Sequence, residues 1–292
     1  GVLFPMLKQL GIDIQFVKNK ITLGIEDKIL RIQKIEDVEN YQALLYSLYP
    51  ESTMEITEII NQIKRIMKYM EVQYGIDNPA FLDPKEDAKY FLTKVLPWMF
   101  KYALTFKKIE ALNEPVVDFL KRYTDNQSLL DIITQHFFTE TPAFFALSYI
   151  KLYLEYYYPL GGTGKLVEKV TEYIEEHQGE IKNNISIKSV NPEKRTVMDH
   201  LGNKYNYKQL IWAADLKTLY RSIDPLDIGD IKIKEAVKER RELIEDKTGN
   251  DSVLTLFLGV NLNKSYFADI ASEHFFYTPS KVGETAAGPL PL

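Results

Sequence analysis

Gly162-Thr163-Gly164-Lys165 has the residue types of a loop that cradles phosphate. Such a loop runs Gly, four residues, Gly, Lys and then a Ser or Thr whose hydroxyl holds magnesium. Here Leu166 follows Lys165, and Pro159 stands where the first Gly belongs, so nucleotide hydrolysis is not expected. The chain has no Gly-x-Gly-x-x-Gly, the turn that lets backbone approach a dinucleotide pyrophosphate, and no Gly-x-Ser-x-Gly elbow for a hydrolase serine. Its four histidines, His136, His177, His200 and His274, are not paired at metal-ligand spacing. Cysteine is absent, which excludes disulfides, thiolate zinc sites, iron–sulfur clusters and a cysteine nucleophile. No metal site is expected, and spacing alone locates no catalytic side chain.

Two features keep two roles each. Asp215 closes the apolar run Gln209-Leu210-Ile211-Trp212-Ala213-Ala214, which reads as a buried strand. Its carboxylate suits either the N-cap of a helix starting near Leu216 or a polar group at a functional strand end. The aromatic run Phe137, Phe138, Phe144, Phe145, Tyr149, Tyr153, Tyr156, Tyr157 and Tyr158 suits either core packing or one wall of an elongated apolar pocket.

The elements that must position these residues follow from hydrophobic period. Residues 12–33 alternate as strands with turns at Asn19-Lys20 and Glu26-Asp27-Lys28, which predicts a small antiparallel meander. Ile56, Ile59, Ile60, Ile63, Met67 and Met70 form one stripe of a long helix, and Ser52 with Glu55 has capping-box spacing. A helix from about Lys85 to Leu104 should kink or break at Pro97. Shorter helices are expected at Pro115–Tyr123 and Ser128–Phe138. The apolar stretch Ala143–Leu154 is too short to span a membrane, and Lys151 interrupts it, so it reads as a buried or interfacial helix. After the turn at Pro159–Gly164, Leu166, Val167, Val170 and Ile174 share a helix face that stops at Gly179. A meander over residues 185–199 and beyond follows, then helices at Leu216–Ile223 and Lys234–Asp246. Ser252–Val260 and His274–Tyr277 read as strands of the same sheet as residues 12–33, and the last ten residues as a tail.

At 292 residues, 45% hydrophobic and 26% charged, the chain can bury a substantial core. A net charge of −5 gives no general attraction to nucleic acid. The lack of cysteine fits a cytoplasmic setting, and the opening on Gly1, without Met or a signal peptide, predicts a natural protein that begins earlier.

Residues 158–220 carry a resemblance. Tyr158-Pro159-Leu160-Gly161-Gly162-Thr163-Gly164-Lys165-Leu166 is similar to the Tyr-Pro-x-Gly-Gly-Met-x-x-Leu segment of phytoene desaturases, carotenoid isomerases and retinol saturases. Glu175-Glu176-His177-Gln178-Gly179-Glu180-Ile181, then Asn184-Ile185-Ser186-Ile187, resembles their Glu-Glu-His-Gly-Gly-Glu-Ile and Asn-Thr-x-Val segments. Trp212-Ala213-Ala214-Asp215 resembles their Ser-Asn-Ala-Asp strand end. Thr163, Gln178, Trp212 and Leu216 depart from the family's Met, Gly, Ser and Pro.

The resemblance implies an internal piece of an FAD-dependent oxidoreductase that acts on a polyene, carotenoid, retinoid or lipid. It implies an α+β fold. A mostly helical substrate domain at 1–158 with an antiparallel sheet would join a helix and three-stranded meander of the FAD-binding domain at 159–215. Residues 216–292 would return to the substrate domain with antiparallel strands. It further implies FAD contacts at Ile187, Gly161, Gly162, Ala214 and Asp215, and an apolar pocket lined by Phe144, Phe145, Tyr149 and Tyr153. The flavin would carry the redox chemistry, and the protein would orient the substrate and exclude water. FAD belongs to the full-length protein and is not expected on this piece alone. An apolar substrate makes peripheral membrane contact useful. Two other readings stand beside it: an amine-oxidase-like flavoenzyme with a small substrate, and a non-enzymatic helical binding module.

Overall fold

A computed structural model describes residues 3–76, 78, 82–83, 85–138, 140–248, 253–283 and 285. It begins with helix α1 (Leu3–Leu10) and strands β1 (Phe16–Lys18), β2 (Ile21–Ile25) and β3 (Lys28–Ile32). β2 and β3 form the expected hairpin, with Glu26 in the left-handed region of the turn, φ 56°. β1 does not join them. It pairs with β4 (Tyr157–Pro159), Phe16 opposite Pro159 and Lys18 opposite Tyr157. The expected meander over 12–33 is therefore a single hairpin plus a strand that leaves for another partner. Alternation reports which face of a strand is apolar, not which strand it pairs with.

Helix α2 (Asp37–Leu48) precedes α3 (Thr53–Tyr74). The whole predicted stripe of α3, Ile56, Ile59, Ile60, Ile63, Met67 and Met70, is buried. The capping box is not made. A 3₁₀ turn at Pro50–Ser52 leads into the helix, and the loop after α6 (Val116–Leu120) takes both side chains instead. Thr124 Oγ1 donates to Glu55 Oε2 at 3.1 Å, and Asn126 Nδ2 donates to Ser52 Oγ at 3.2 Å. Before α6, the helix expected near 85–104 forms in pieces: α4 (Ala88–Tyr90), a π turn at Phe91–Val95, and α5 (Leu96–Glu110). Pro97 lies in the first turn of α5, directly after the π turn. The Leu96 N–H reaches back to the Phe91 carbonyl, so the π turn takes up the irregularity that the proline imposes.

α7 (Gln127–Thr134) is capped by Asn126, whose Oδ1 accepts from Leu129 N at 3.1 Å. α8 (Ala143–Tyr153) is buried along most of its length, and Lys151 meets Glu71 at its rim, 3.0 Å. α9 (Gly164–Glu176) follows β4.

The chain divides into two compact units, residues 1–173 with 253–292, and residues 174–252. The division falls within α9, and residues 216–252 stay with the smaller unit. In that unit β5 (Ile187–Asn191), β6 (Thr196–Asp199) and β7 (Lys204–Asn206) form the expected antiparallel meander. α10 (Leu216–Ser222) and α11 (Ile231–Glu245) complete it. Its buried core is small: Val190, Ile223 and Ile228, with Ile187, Trp212 and Leu219 packed around them. The strand expected at Gln209–Asp215 is not formed, and Ile211 is 89% exposed. β7 already ends at Asn206, and no neighbouring ladder receives the run.

The return to the larger unit brings α12 (Lys264–Ile270) and β8 (His274–Thr278). β8 does reach the expected sheet, which runs β3-β2-β8, but it lies parallel to β2 rather than antiparallel. β2 sits between two neighbours, and all five of its residues are buried. Ser252 lies outside the described residues. Residues 253–260 form no strand and pair with none of the described sheets, and Leu254 and Phe257 are at least 90% exposed. Of the tail expected at 283–292, only Gly283 and Thr285 are among the described residues. The fold is mixed α+β, with small, mainly antiparallel sheets.

Candidate functional site

The larger unit gathers its aromatic run around two histidines. α8 presents Phe145, Tyr149 and Tyr153 on successive turns, and the Tyr149 ring meets Phe145, Phe137 and Tyr153 edge to face at 5.2, 5.1 and 4.9 Å. β8 carries His274 and Phe276, two residues apart on one face of the strand, with rings stacked at 4.4 Å. His136, in the turn after α7, closes the group from the other side, its ring 4.1 Å from Phe276. Tyr156 stacks on His274 at 5.8 Å, and its hydroxyl is hydrogen-bonded to that of Tyr149.

The polar atoms of this cluster are few. Tyr153 OH and His136 Nδ1 lie 3.4 Å apart, while His136 Nε2 is buried without a hydrogen-bond partner among the described residues. Burial, with a smaller contribution from His274, pushes the His136 imidazole down to about 4. Burial pushes the Tyr153 and Tyr156 phenols up, so neither ionises near neutrality. The arrangement holds a neutral imidazole among neutral phenols. It can offer a weak hydrogen bond but has no nucleophile–base pair.

Of the residues expected to line an apolar pocket, Phe144 and Tyr153 are buried in the main core and Phe145 is 40% exposed. Tyr149 packs against that core from its edge. None of the four borders either of two clefts found among the described residues of the larger unit. One, about 350 Å³, is lined by Phe4, Leu7, Lys8, Ile12, Asp13 and Phe16. The other, about 100 Å³, lies beside Met70, Tyr74 and Lys151. The aromatic rings fill their own space.

Gly161 and Gly162 belong to the larger unit and take φ of 90° and 93°, a conformation that side chains with a Cβ avoid. Gly162 N donates to Pro159 O at 3.0 Å, and Lys165 N donates to Gly162 O at 3.1 Å, so the turn feeds directly into α9. Lys165 itself pairs with Glu168 at 2.7 Å.

Ile187, Ala214 and Asp215 belong to the smaller unit. Ile187 opens β5 opposite Asp199, and the register shifts between Ile187 and Ser189. Ala214 is exposed. Asp215 takes the capping role: its Oδ1 accepts from Thr218 N at 2.7 Å and Thr218 Oγ1 at 2.6 Å, and these bonds hold its pKa below the ordinary carboxylate value.

Two features had no counterpart in the sequence reading. His136 and His274 meet only through the fold, and nothing in their spacing announces it. Asp199 is buried at the end of β6 and accepts from Leu201 N, Asn203 N, Asn203 Nδ2 and Tyr205 OH at 2.8 to 2.9 Å. Burial opposes its charge, but the donors overcome it and pull the carboxyl down to about 2. The Asp-x-x-Gly-Asn order of residues 199–203 carries that signal, since Asp commonly organises a turn with its own side chain.

Among the described residues, no group of three or more His, Asp or Glu converges to hold a metal. No family model, curated protein or solved structure matches the chain.

Proposed function

We propose that this chain is the substrate domain and part of the FAD-binding domain of a flavin-dependent oxidoreductase that acts on an apolar polyene or lipid. The observation that carries the reading is the backbone at Gln178. The resembling family has a glycine there, and Gln178 stands in the left-handed region with φ 63°. Gly179 N donates to Ile174 O at 2.7 Å and Gln178 N to Glu175 O at 3.0 Å, the paired bonds of a helix end that favours glycine. The order left-handed Gly-Gly turn, helix, left-handed stop and three-stranded meander is the order that the resemblance requires. In such an enzyme the bound flavin supplies the redox chemistry. The residues with backbone suited to approach it are Gly161, Gly162 and Ile187, because contact there uses main chain rather than side chain. The capping role of Asp215 leaves Ala214 and the backbone around it for any contact on that side.

A second reading, a non-enzymatic helical binding module, is favoured by one observation. The aromatic rings of the larger unit pack against one another and border neither cleft.

The two readings separate on one measurement, the visible absorbance of the protein expressed from its complete gene. A bound-flavin spectrum supports the oxidoreductase, and polyenes and retinoids are then the first substrates to screen. A colourless, folded protein that takes up no added FAD overturns that reading and leaves the binding module.

A further inference from the structure

Helix α5 is apolar on two sides, and only one of them meets protein. Val95, just before it, and Thr105 are buried, and Trp98, Tyr102 and Ile109 between and beyond them are half-buried. These residues recur at three- and four-residue steps, which places them on one stripe. Trp98 fixes this stripe to α3 by donating its Nε1–H to the Val72 carbonyl. The opposite stripe, Leu96, Phe100 and Leu104, is 40%, 70% and 79% exposed, with Met99 beside it at 49% and Leu92 in the preceding π turn at 63%. A helix apolar all round is normally buried on both sides.

Charge indicates what covers the outer stripe. From residue 88 to residue 109 there is no Asp or Glu, whereas Lys89, Lys94, Lys101, Lys107 and Lys108 are all exposed. This local excess stands in a chain whose net charge is −5. Among the described residues, no ion pair engages Lys94, Lys101 or Lys107. Protein interfaces are depleted of lysine at their centres, whereas helices that lie in a bilayer interface combine exposed Phe and Leu with flanking lysines. No helix among the described residues is long and apolar enough to cross a membrane, so a helix of this composition would lie in the plane of one.

We propose that α5 and the π turn before it form a docking surface for an anionic lipid bilayer, with Leu92, Leu96, Phe100 and Leu104 entering the interface and the lysines pairing with lipid headgroups. The proposal does not depend on the flavin reading.

The test is co-sedimentation of the protein with vesicles of phosphatidylcholine, alone or mixed with phosphatidylserine. Binding is expected to the mixed vesicles and to weaken as salt is added. Phe100→Ser with Leu104→Ser should lower the affinity at least tenfold, because each side chain loses its burial. Lys101→Glu with Lys107→Glu should lower it by more than tenfold, since each lysine contributes roughly fivefold near an anionic surface. All four positions are exposed, so circular dichroism should report unchanged folding, and either pair tests the proposal if the other does not fold. No binding to anionic vesicles overturns the proposal, as does binding that both variants retain. A protein that sediments as a dimer, ignores vesicles and becomes monomeric with Phe100→Ser and Leu104→Ser also overturns it and assigns the stripe to a second copy.

Discussion

The ring of His136 stands 4.1 Å from that of Phe276, which stacks on its other neighbour, His274, at 4.4 Å. Two imidazoles thus share one phenyl ring inside the larger unit. Protonation of His136 would place a charge where burial and His274 both oppose it.

Acid should therefore weaken the larger unit before its carboxylates titrate. His136 is pushed from its ordinary 6.5 to about 4, so between those values the unfolded chain binds a proton that the folded one refuses. Stability is complete above 6.5 and falls as pH drops toward 4, by at most about 3.5 kcal/mol at roughly 1.4 kcal/mol per unit. Urea midpoints measured across that range should decline, and His136→Phe should flatten the decline. An unchanged slope in that variant would place the effect elsewhere.

Gln178→Gly should stabilise the smaller unit. Its φ of 63° is one that a side chain with a Cβ adopts at a cost of roughly 1–2 kcal/mol, and glycine relieves it, less some added freedom in the unfolded chain. A rise in urea midpoint worth about 1 kcal/mol is expected, while Gln178→Ala should give none.

Gly162→Ala should do the reverse. An added Cβ would meet nothing within 4 Å, so any loss comes from the backbone at φ 93° alone. A loss of roughly 1–2 kcal/mol is expected, and a neutral substitution would mean that the turn relaxes out of its left-handed form.

Asp199→Asn should loosen the β6–β7 hairpin. The amide keeps one acceptor for Leu201 N and Asn203 N but turns a donor toward Asn203 Nδ2 and Tyr205 OH. Hydrogen exchange at Leu201 and Asn203 should accelerate. The native carboxyl stays charged down to about 2, against an ordinary 3.8, so its contribution is present above 3.8 and disappears as pH falls through 2. The variant should lack that step in an acid titration.

Local pattern made much of this fold legible. The α3 stripe, the α8 core helix, the cap at Asp215 and the β5–β6–β7 meander each depend on residues close in sequence, where period and turn chemistry decide the outcome. What failed was partner choice. β1 went to β4, β8 ran parallel to β2, and the apolar runs at 209–215 and 253–260 found no ladder. An apolar run states that burial is favourable, but it does not say which strand lies beside it. The same holds for the candidate site. The aromatic run of α8 could be read from the sequence, whereas His136 and His274 came together through a strand pairing that spans most of the chain.

That pairing sets an order of assembly. β2 lies near the start of the chain and β8 near residue 278, and the smaller unit is enclosed entirely between them. On a ribosome, the meander and its two helices emerge and can close while β2 still has an empty edge. The larger unit completes its sheet only when β8 appears, after a loop closure whose entropic cost grows slowly with length but whose delay does not. During that interval the open edge of an all-buried strand is the part of the nascent chain most in need of protection from other chains.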